Sequence, residues 1–141
     1  MNRESLFRAK KAVIGEWVEG YYFKTEISGK DAHYILRYGK WADNVFGAVP
    51  ETVGQYIGLK DRNEKKIFEG DIVKIPSFIP SIMVIGFIEG AFCLVDKNGD
   101  FVADIHYIHH AGVNDSEVIG NIYDNPEMIG SVEGGNNDDS K

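Results

Sequence analysis

Apolar and polar residues alternate with a period near two along most of the chain, and no long stretch carries the 3.6-residue period of a helix. Leu6 to Ala9 reads as a first short strand and Glu16 to Ile27 as a long second one. In the second, Trp17, Tyr21, Phe23, Thr25 and Ile27 share a face that Glu19 interrupts. Aromatic stripes at strand spacing are core far more often than ligand-stacking platforms, so this face is expected to be buried. Ser28 to Asp31 is a turn, and Ala32 to Tyr38 returns as a third strand, completing a meander. Gly39 to Pro50, with Trp41 and Phe46, reads as an irregular connection holding one short extended piece. Pro50 to Val53 suits a single helical turn, with proline at its first position and Glu51 beside its N-terminus.

The stretch Gln55 to Ile75 packs two apolar runs and two turn signals into little space. It predicts a strand, a tight turn, a second strand and a reversal at Glu69, Gly70 and Asp71 that feeds a third strand, Ile72 to Ile75. Pro76 to Pro80 is a loop presenting Phe78 and Ile79. Ser81 to Ile88 and Ala91 to Val95 form a hairpin around Glu89-Gly90, and Asn98-Gly99 is a two-residue hairpin pair within the next turn. Phe101 to Ile108 is expected to be one half-buried strand, with Phe101, Ala103, Ile105 and Tyr107 on one face and Asp104 and His106 on the other. Val118 to Tyr123 is a last strand. Asp124 to Glu127 opens a short helical turn, with an asparagine cap and proline at the first position. From Gly130 to Lys141 glycine, asparagine, serine and acid replace apolar residues, a composition that predicts a disordered tail.

At 141 residues the chain is large enough to bury a core without disulfides or metal. Its single cysteine, Cys93, lies in an apolar run and reads as a buried, inert thiol. No signal-peptide core follows the basic N-terminus, and the longest apolar run, Phe78 to Ile88, is broken by Pro80 and Gly86 and is too short to span a bilayer. The expected location is the cytoplasm, without membrane contact. The formal net charge is −7, with 22 acidic and 15 basic residues. That surplus argues against general nucleic-acid binding, which needs a concentrated positive surface.

Two groups of residues carry candidate chemistry. Lys60, Arg62, Lys65 and Lys66 cluster at the central turn and, with Phe78 in its proline-bounded loop, are the candidate binding residues. Asp104, His106, His109 and His110 hold zinc-type ligand chemistry, but their spacing matches no structural zinc pattern, so metal is expected to be absent. Calcium at Asp96 to Asp100 is rejected, because the sixth and twelfth loop positions hold Phe101 and Tyr107 instead of glycine and glutamate. The acids Asp61 and Glu64 read as solvated turn residues. No phosphate-binding loop, nucleophile elbow, carboxylate pair or internal repeat emerges, and no cofactor is implied.

Gly58-Leu59-Lys60-Asp61 followed by Ile67-Phe68-Glu69-Gly70-Asp71-Ile72-Val73 resembles the signature of the YopX family of phage and prophage proteins. Leu6 to Lys10 and Gly15 to Tyr21 resemble that family's opening. Val118 to Tyr123 with Asn125-Pro126-Glu127 resembles its close. Two positions depart from the pattern. Ile57 stands where a threonine-like residue is usual, and Glu64 where glycine follows the turn asparagine. Asparagine is the non-glycine residue best suited to positive φ, so the turn is expected to place Asn63 there and leave Glu64 relaxed. The resemblance implies a β-rich fold with an SH3-like barrel and a phage or prophage gene, and no known activity.

Pattern and resemblance together give a mainly β protein with little helix. A single domain is expected over 1–129, made of an N-terminal β meander (1–50) and an SH3-like barrel (53–123), before the tail 130–141. The expected function is a non-enzymatic accessory module that binds a host or phage macromolecule, with a homo-oligomer through exposed strand edges as a further expectation. A small nucleic-acid binder and a metal-dependent enzyme are the rival classes.

Overall fold

A computed structural model describes residues 4–37, 44–110 and 112–129. Tyr38 at the end of the predicted third strand, Trp41, and the tail 130–141 lie outside them. The chain divides into two compact units, Met1–Gly58 and Leu59–Lys141, so the division falls inside a strand, just beyond the start of the stretch read as a barrel.

In the first unit, β1 (Phe7–Lys10), β2 (Trp17–Ile27), β3 (Lys30–Leu36), β4 (Val45–Gly47) and β5 (Gly54–Lys60), whose last two residues belong to the second unit, follow the hydrogen-bonded order β4-β3-β2-β1-β5. The expected meander is its centre. Between β2 and β3, Ile27 pairs with Lys30, and Ser28 (φ 52°) and Gly29 (φ 80°) both adopt positive φ, the two-residue turn whose twist matches the strands. Beyond β1 and β4 the sheet bends back on itself. Lys11 bridges Ala48, and the Ala12 N–H donates to the Gly47 carbonyl at 2.8 Å. The predicted helical turn is a 3-10 turn, Pro50–Thr52, held by the buried Thr52 hydroxyl, which accepts from the Lys10 N–H at 2.9 Å and donates to the Val49 carbonyl at 2.7 Å.

The core of this unit is Ala9, Val18, Ile35 and Ala48, with Phe7, Tyr22, Phe46 and Val53 packed against it. That reverses the expected phase of β2. Val18, Gly20 and Tyr22 face inward, and the aromatic stripe Tyr21, Phe23, Ile27 faces out. Apolar count alone favoured the wrong face, because one inward position is a glycine that the packing requires. A Cβ on Gly20 would run into the Leu36 carbonyl of β3. Small size is what buries this residue, and apolar counting cannot register it.

In the second unit, β6 (Lys66–Phe68), β7 (Asp71–Lys74), β8 (Ile82–Ile88), β9 (Ala91–Val95) and β10 (Phe101–Asp104) are followed by a 3-10 turn at Ile105–Ile108. The short pair β11 (His109–His110) and β12 (Val113–Asn114) comes next, then β13 (Glu117–Asn121) and a helical turn at 127–129. One antiparallel sheet has the order β10-β9-β8-β7-β13. Its face of Ile72, Val84, Cys93 and Val95 is covered in part by Ile119, Met128 and Ile129. Its end strands β10 and β13 are not hydrogen-bonded to one another, so the sheet is open. The mainly β expectation holds, and barrel closure is not what this hydrogen bonding displays.

Three local expectations are corrected. Phe101 to Ile108 is not one strand: the ladder stops at Asp104 and the chain coils into the 3-10 turn, leaving Phe101 exposed and Ile108 buried. Asn98-Gly99 is not a two-residue hairpin turn, because Gly99 (φ 84°) takes positive φ and Asn98 does not. The Asp96 N–H donates to the Asp100 carbonyl at 2.9 Å, closing a three-residue loop with glycine at its left-handed position. Asn125 precedes the helical turn as expected, but its Oδ1 accepts from the Asn121 N–H at 3.2 Å and does not cap the turn.

Candidate functional site

β1 lines β2 only over Trp17–Gly20, and β4 lines β3 only over Tyr34–Leu36, so the hairpin beyond them projects as a two-stranded arm. Register places Tyr21 opposite Leu36, Phe23 opposite Tyr34 and Thr25 opposite Ala32, all on the outward face. Val45 of β4 extends that face from Leu36. Phe23 and Tyr34 stack at 5.2 Å between centroids and 23° between planes. Exposure is 53% for Tyr21, 39% for Phe23, 53% for Ile27 and 39% for Val45. Contiguous exposed apolar surface of this kind marks an interaction site more often than a solvated face. Between Glu19, opposite Arg8, and Lys30, opposite Ile27 at the tip, the face carries no charged side chain among the described residues. Lys24, Glu26 and Asp31 lie on the reverse side, where Lys24 Nζ is 3.8 Å from the Asp31 carboxylate and the Tyr22 hydroxyl is 2.8 Å from His33 Nδ1. Trp17 is excluded from the platform, since the Arg8 guanidinium lies 4.6 Å and Lys10 Nζ 5.7 Å from its ring.

The basic residues Lys60, Arg62, Lys65 and Lys66 do gather around one turn, but the turn is organised by an acid. Asp61 is 2% exposed, which corrects the expectation of a solvated carboxylate. Its Oδ1 accepts from the N–H groups of Asn63 (2.8 Å) and Lys65 (3.0 Å), and its Oδ2 accepts from the N–H of Val118 (2.9 Å). Burial pushes the Asp61 pKa up. The N–H donors of Val118, Lys65 and Asn63, with the Lys65 charge, outweigh burial and hold it below the usual carboxylate value. Asn114 joins this region, donating to the Lys60 carbonyl at 2.9 Å and lying 3.3 Å from His109 Nε2. The positive φ in the turn belongs to Glu64, at 66°, and not to Asn63 as expected.

Asp104 ends β10 and His106 sits in the following 3-10 turn, so they share no strand face. His106 packs on Tyr107 at 4.6 Å. His109 is held by Asn114, and the side chain of His110 lies outside the described residues. Among the described residues no three His, Cys, Asp or Glu side chains gather as a metal would need. Cys93 is buried, and its thiol pKa is raised by that burial and by the nearby Asp104 carboxylate. Phe78 is half-buried against Tyr107, with ring centroids 5.7 Å apart, while its neighbour Ile79 is 97% exposed. A groove of about 350 Å³ beside the open sheet is lined by apolar Val84, Ile85, Val95, Ile122 and Ile129 and by polar or charged Glu69, Asp96, Lys97 and Tyr123, among others.

Residues 6–130 match the family model described as YopX protein. The chain belongs to the YopX family. Several of the residues by which this YopX-family chain carries the signature build turns between its strands. Asp61 closes one turn, and Asp71, 1% exposed, accepts from the Phe68 N–H at 2.8 Å to close the reversal at Glu69-Gly70. The Asn121 side chain accepts from the N–H groups of Tyr123 and Asp124. The crystal structure of protein EF1440 from Enterococcus faecalis is similar to this YopX protein over 91% of this chain and 99% of that one, with a TM-score of 0.54 and 24% identity. At that identity the likeness concerns the fold. No curated protein sequence matches the chain. Among the described residues no helix is long and apolar enough to cross a membrane.

Proposed function

We propose that this YopX protein is a non-enzymatic accessory module of a phage or prophage, working in the host cytoplasm, and that it binds a host or phage protein through the outward face of β2, β3 and β4. The observation that supports this reading is the stacked Phe23–Tyr34 pair within an exposed, uncharged apolar face. Aromatic anchors flanked by aliphatic side chains suit the desolvated centre of a protein interface. A nucleic acid is the poorer partner for it, since the cations bordering the face are Lys30 at its tip and Arg8 and Lys10 beside Trp17, and the chain is acidic overall. The 53–123 stretch is read as SH3-like in strand arrangement on the strength of the family resemblance.

Affinity capture from infected cells with the native protein and with Phe23→Ser/Tyr34→Ser tests it. A partner retained by the native protein should be lost from the variant, because truncating a buried aromatic anchor costs about 2 kcal/mol or more. It should be retained when Lys60, Arg62, Lys65 and Lys66 are changed to glutamine. A nuclease-sensitive partner lost with the lysine and arginine changes, and indifferent to Phe23 and Tyr34, overturns the proposal.

A further inference from the structure

Among the described residues the same arm has an open edge as well as an open face. Ile27 and Lys30 flank a two-residue turn, so they form a hydrogen-bonded pair, and the odd-numbered residues of β2 aim their N–H and C=O groups at β3. Tyr22, Lys24 and Glu26 therefore direct theirs to the other side. β1 ends its pairing at Gly20, and no described strand runs beside this side from residue 22 onward. A two-stranded ribbon with such an edge is marginal alone and a template for a further strand.

We infer that the strand which joins this edge is β2 of a second copy of the chain, antiparallel, with Thr25 facing Thr25 across the two-fold axis. Charge and apolar complementarity select the partner and the register. An antiparallel ladder between two identical edges must pair even-numbered residues with even-numbered ones. Centred on residue 24 it sets Lys24 against Lys24, and centred on residue 26 it sets Glu26 against Glu26. Centred on Thr25, each Lys24 faces the Glu26 of the other copy, and each Phe23 faces the other copy's Ile27 on the outward side. Within one chain Glu26 stands directly opposite Asp31, a like-charge pair on one side of the sheet, and the incoming lysine offsets it. The two-fold keeps both outward faces on the same side, so the platforms around Phe23 merge into one larger surface. The pairing does not depend on what that surface binds.

Sedimentation and oxidative cross-linking of the full chain test this. Thr25→Cys places its thiol at a non-hydrogen-bonded pair, where opposing Cα atoms lie about 4.5 Å apart, inside disulfide range, so mild oxidation should give a covalent dimer. Asp31→Cys, on the far strand, should not. Lys24→Glu and Glu26→Lys should each weaken the dimer by about tenfold, since each converts two opposite-charge pairs into like-charge pairs. The double swap Lys24→Glu/Glu26→Lys should restore it. Glu26→Lys also relieves the internal clash with Asp31, so a purely structural effect would leave the dimer as strong or stronger. A chain that sediments as a monomer at about 100 μM, cross-links equally from both cysteines, or is not rescued by the double swap overturns the inference.

Discussion

Glu64 and Gly99 occupy the same position in two copies of one turn. In Asp61–Lys65 and in Asp96–Asp100 the first aspartate accepts, through Oδ1, from the N–H two residues on at 2.8 Å and four residues on at 3.0 Å. In each, the first N–H donates to the fifth carbonyl and the fourth N–H to the first carbonyl. The fourth residue takes positive φ in both, 66° at Glu64 and 84° at Gly99. Only Gly99 lacks the Cβ that makes this conformation costly.

Glu64→Gly is therefore expected to stabilise the protein by roughly 0.5–1 kcal/mol, the relief of a left-handed side chain exceeding the entropy gained by the unfolded chain. Gly99→Glu should cost about as much. Thermal melts decide the sign, and a lower Tm for Glu64→Gly would contradict the equivalence of the two turns.

Asp61→Asn keeps two of the three acceptor contacts but presents an amide N–H₂ to the Val118 N–H, leaving a buried donor without an acceptor. A loss of about 2–3 kcal/mol at pH 7 is expected. Because the Asp61 pKa is held below its unfolded value, its contribution is fully present above about pH 4 and is lost as pH falls through the folded value. Denaturant titrations of both proteins at pH 7 and pH 3 should show the gap narrowing in acid. A constant gap would mean the charge on Asp61 contributes nothing.

Gly20→Ala asks a methyl group to share space with the Leu36 carbonyl, which is backbone and cannot swing aside. The cost should be about 2–3 kcal/mol, at the upper end for overpacking. Circular dichroism melts that leave Gly20→Ala within about 0.5 kcal/mol of native, the range of ordinary surface changes, would refute the close approach of β2 and β3.

Cys93 is buried, and burial with the Asp104 charge raises its thiol pKa, so the thiolate is scarce at neutral pH. A thiol-reactive dye should leave the native protein unlabelled over minutes at pH 7.5 and label one site per chain in denaturant. Prompt labelling of the folded protein would show Cys93 to be accessible.

Strand positions were readable because turn chemistry punctuates them. Ser28-Gly29, Glu89-Gly90 and the reversal at Glu69-Gly70 all fall where residue type predicted. Facing was harder. On β2 the sequence weighs Trp17, Tyr21, Phe23, Thr25 and Ile27 against Val18, Gly20 and Tyr22, and the buried side is the one whose glycine admits β3 closely. The exposed platform was thus visible as a stripe but assigned to the core. Asp61 was missed for a different reason. Its third donor comes from Val118, and no local pattern announces a partner that distant. The shared face of Asp104 and His106 existed only on the assumption that the strand continued past Asp104.

The hydrogen bond from the Val118 N–H to Asp61 spans 57 positions of chain. Its acceptor leaves the ribosome long before its donor, as does β7 before the β13 that must pair with it. During synthesis the second unit therefore holds an unfilled carboxylate oxygen and an unmatched strand edge until nearly the last described residues emerge. Loop closure over that span is slow compared with forming the adjacent-strand hairpins of the first unit. A nascent chain cut short before residue 118 would expose that edge with nothing left to cover it, which makes the C-terminal strand the checkpoint on whether the molecule finishes folding.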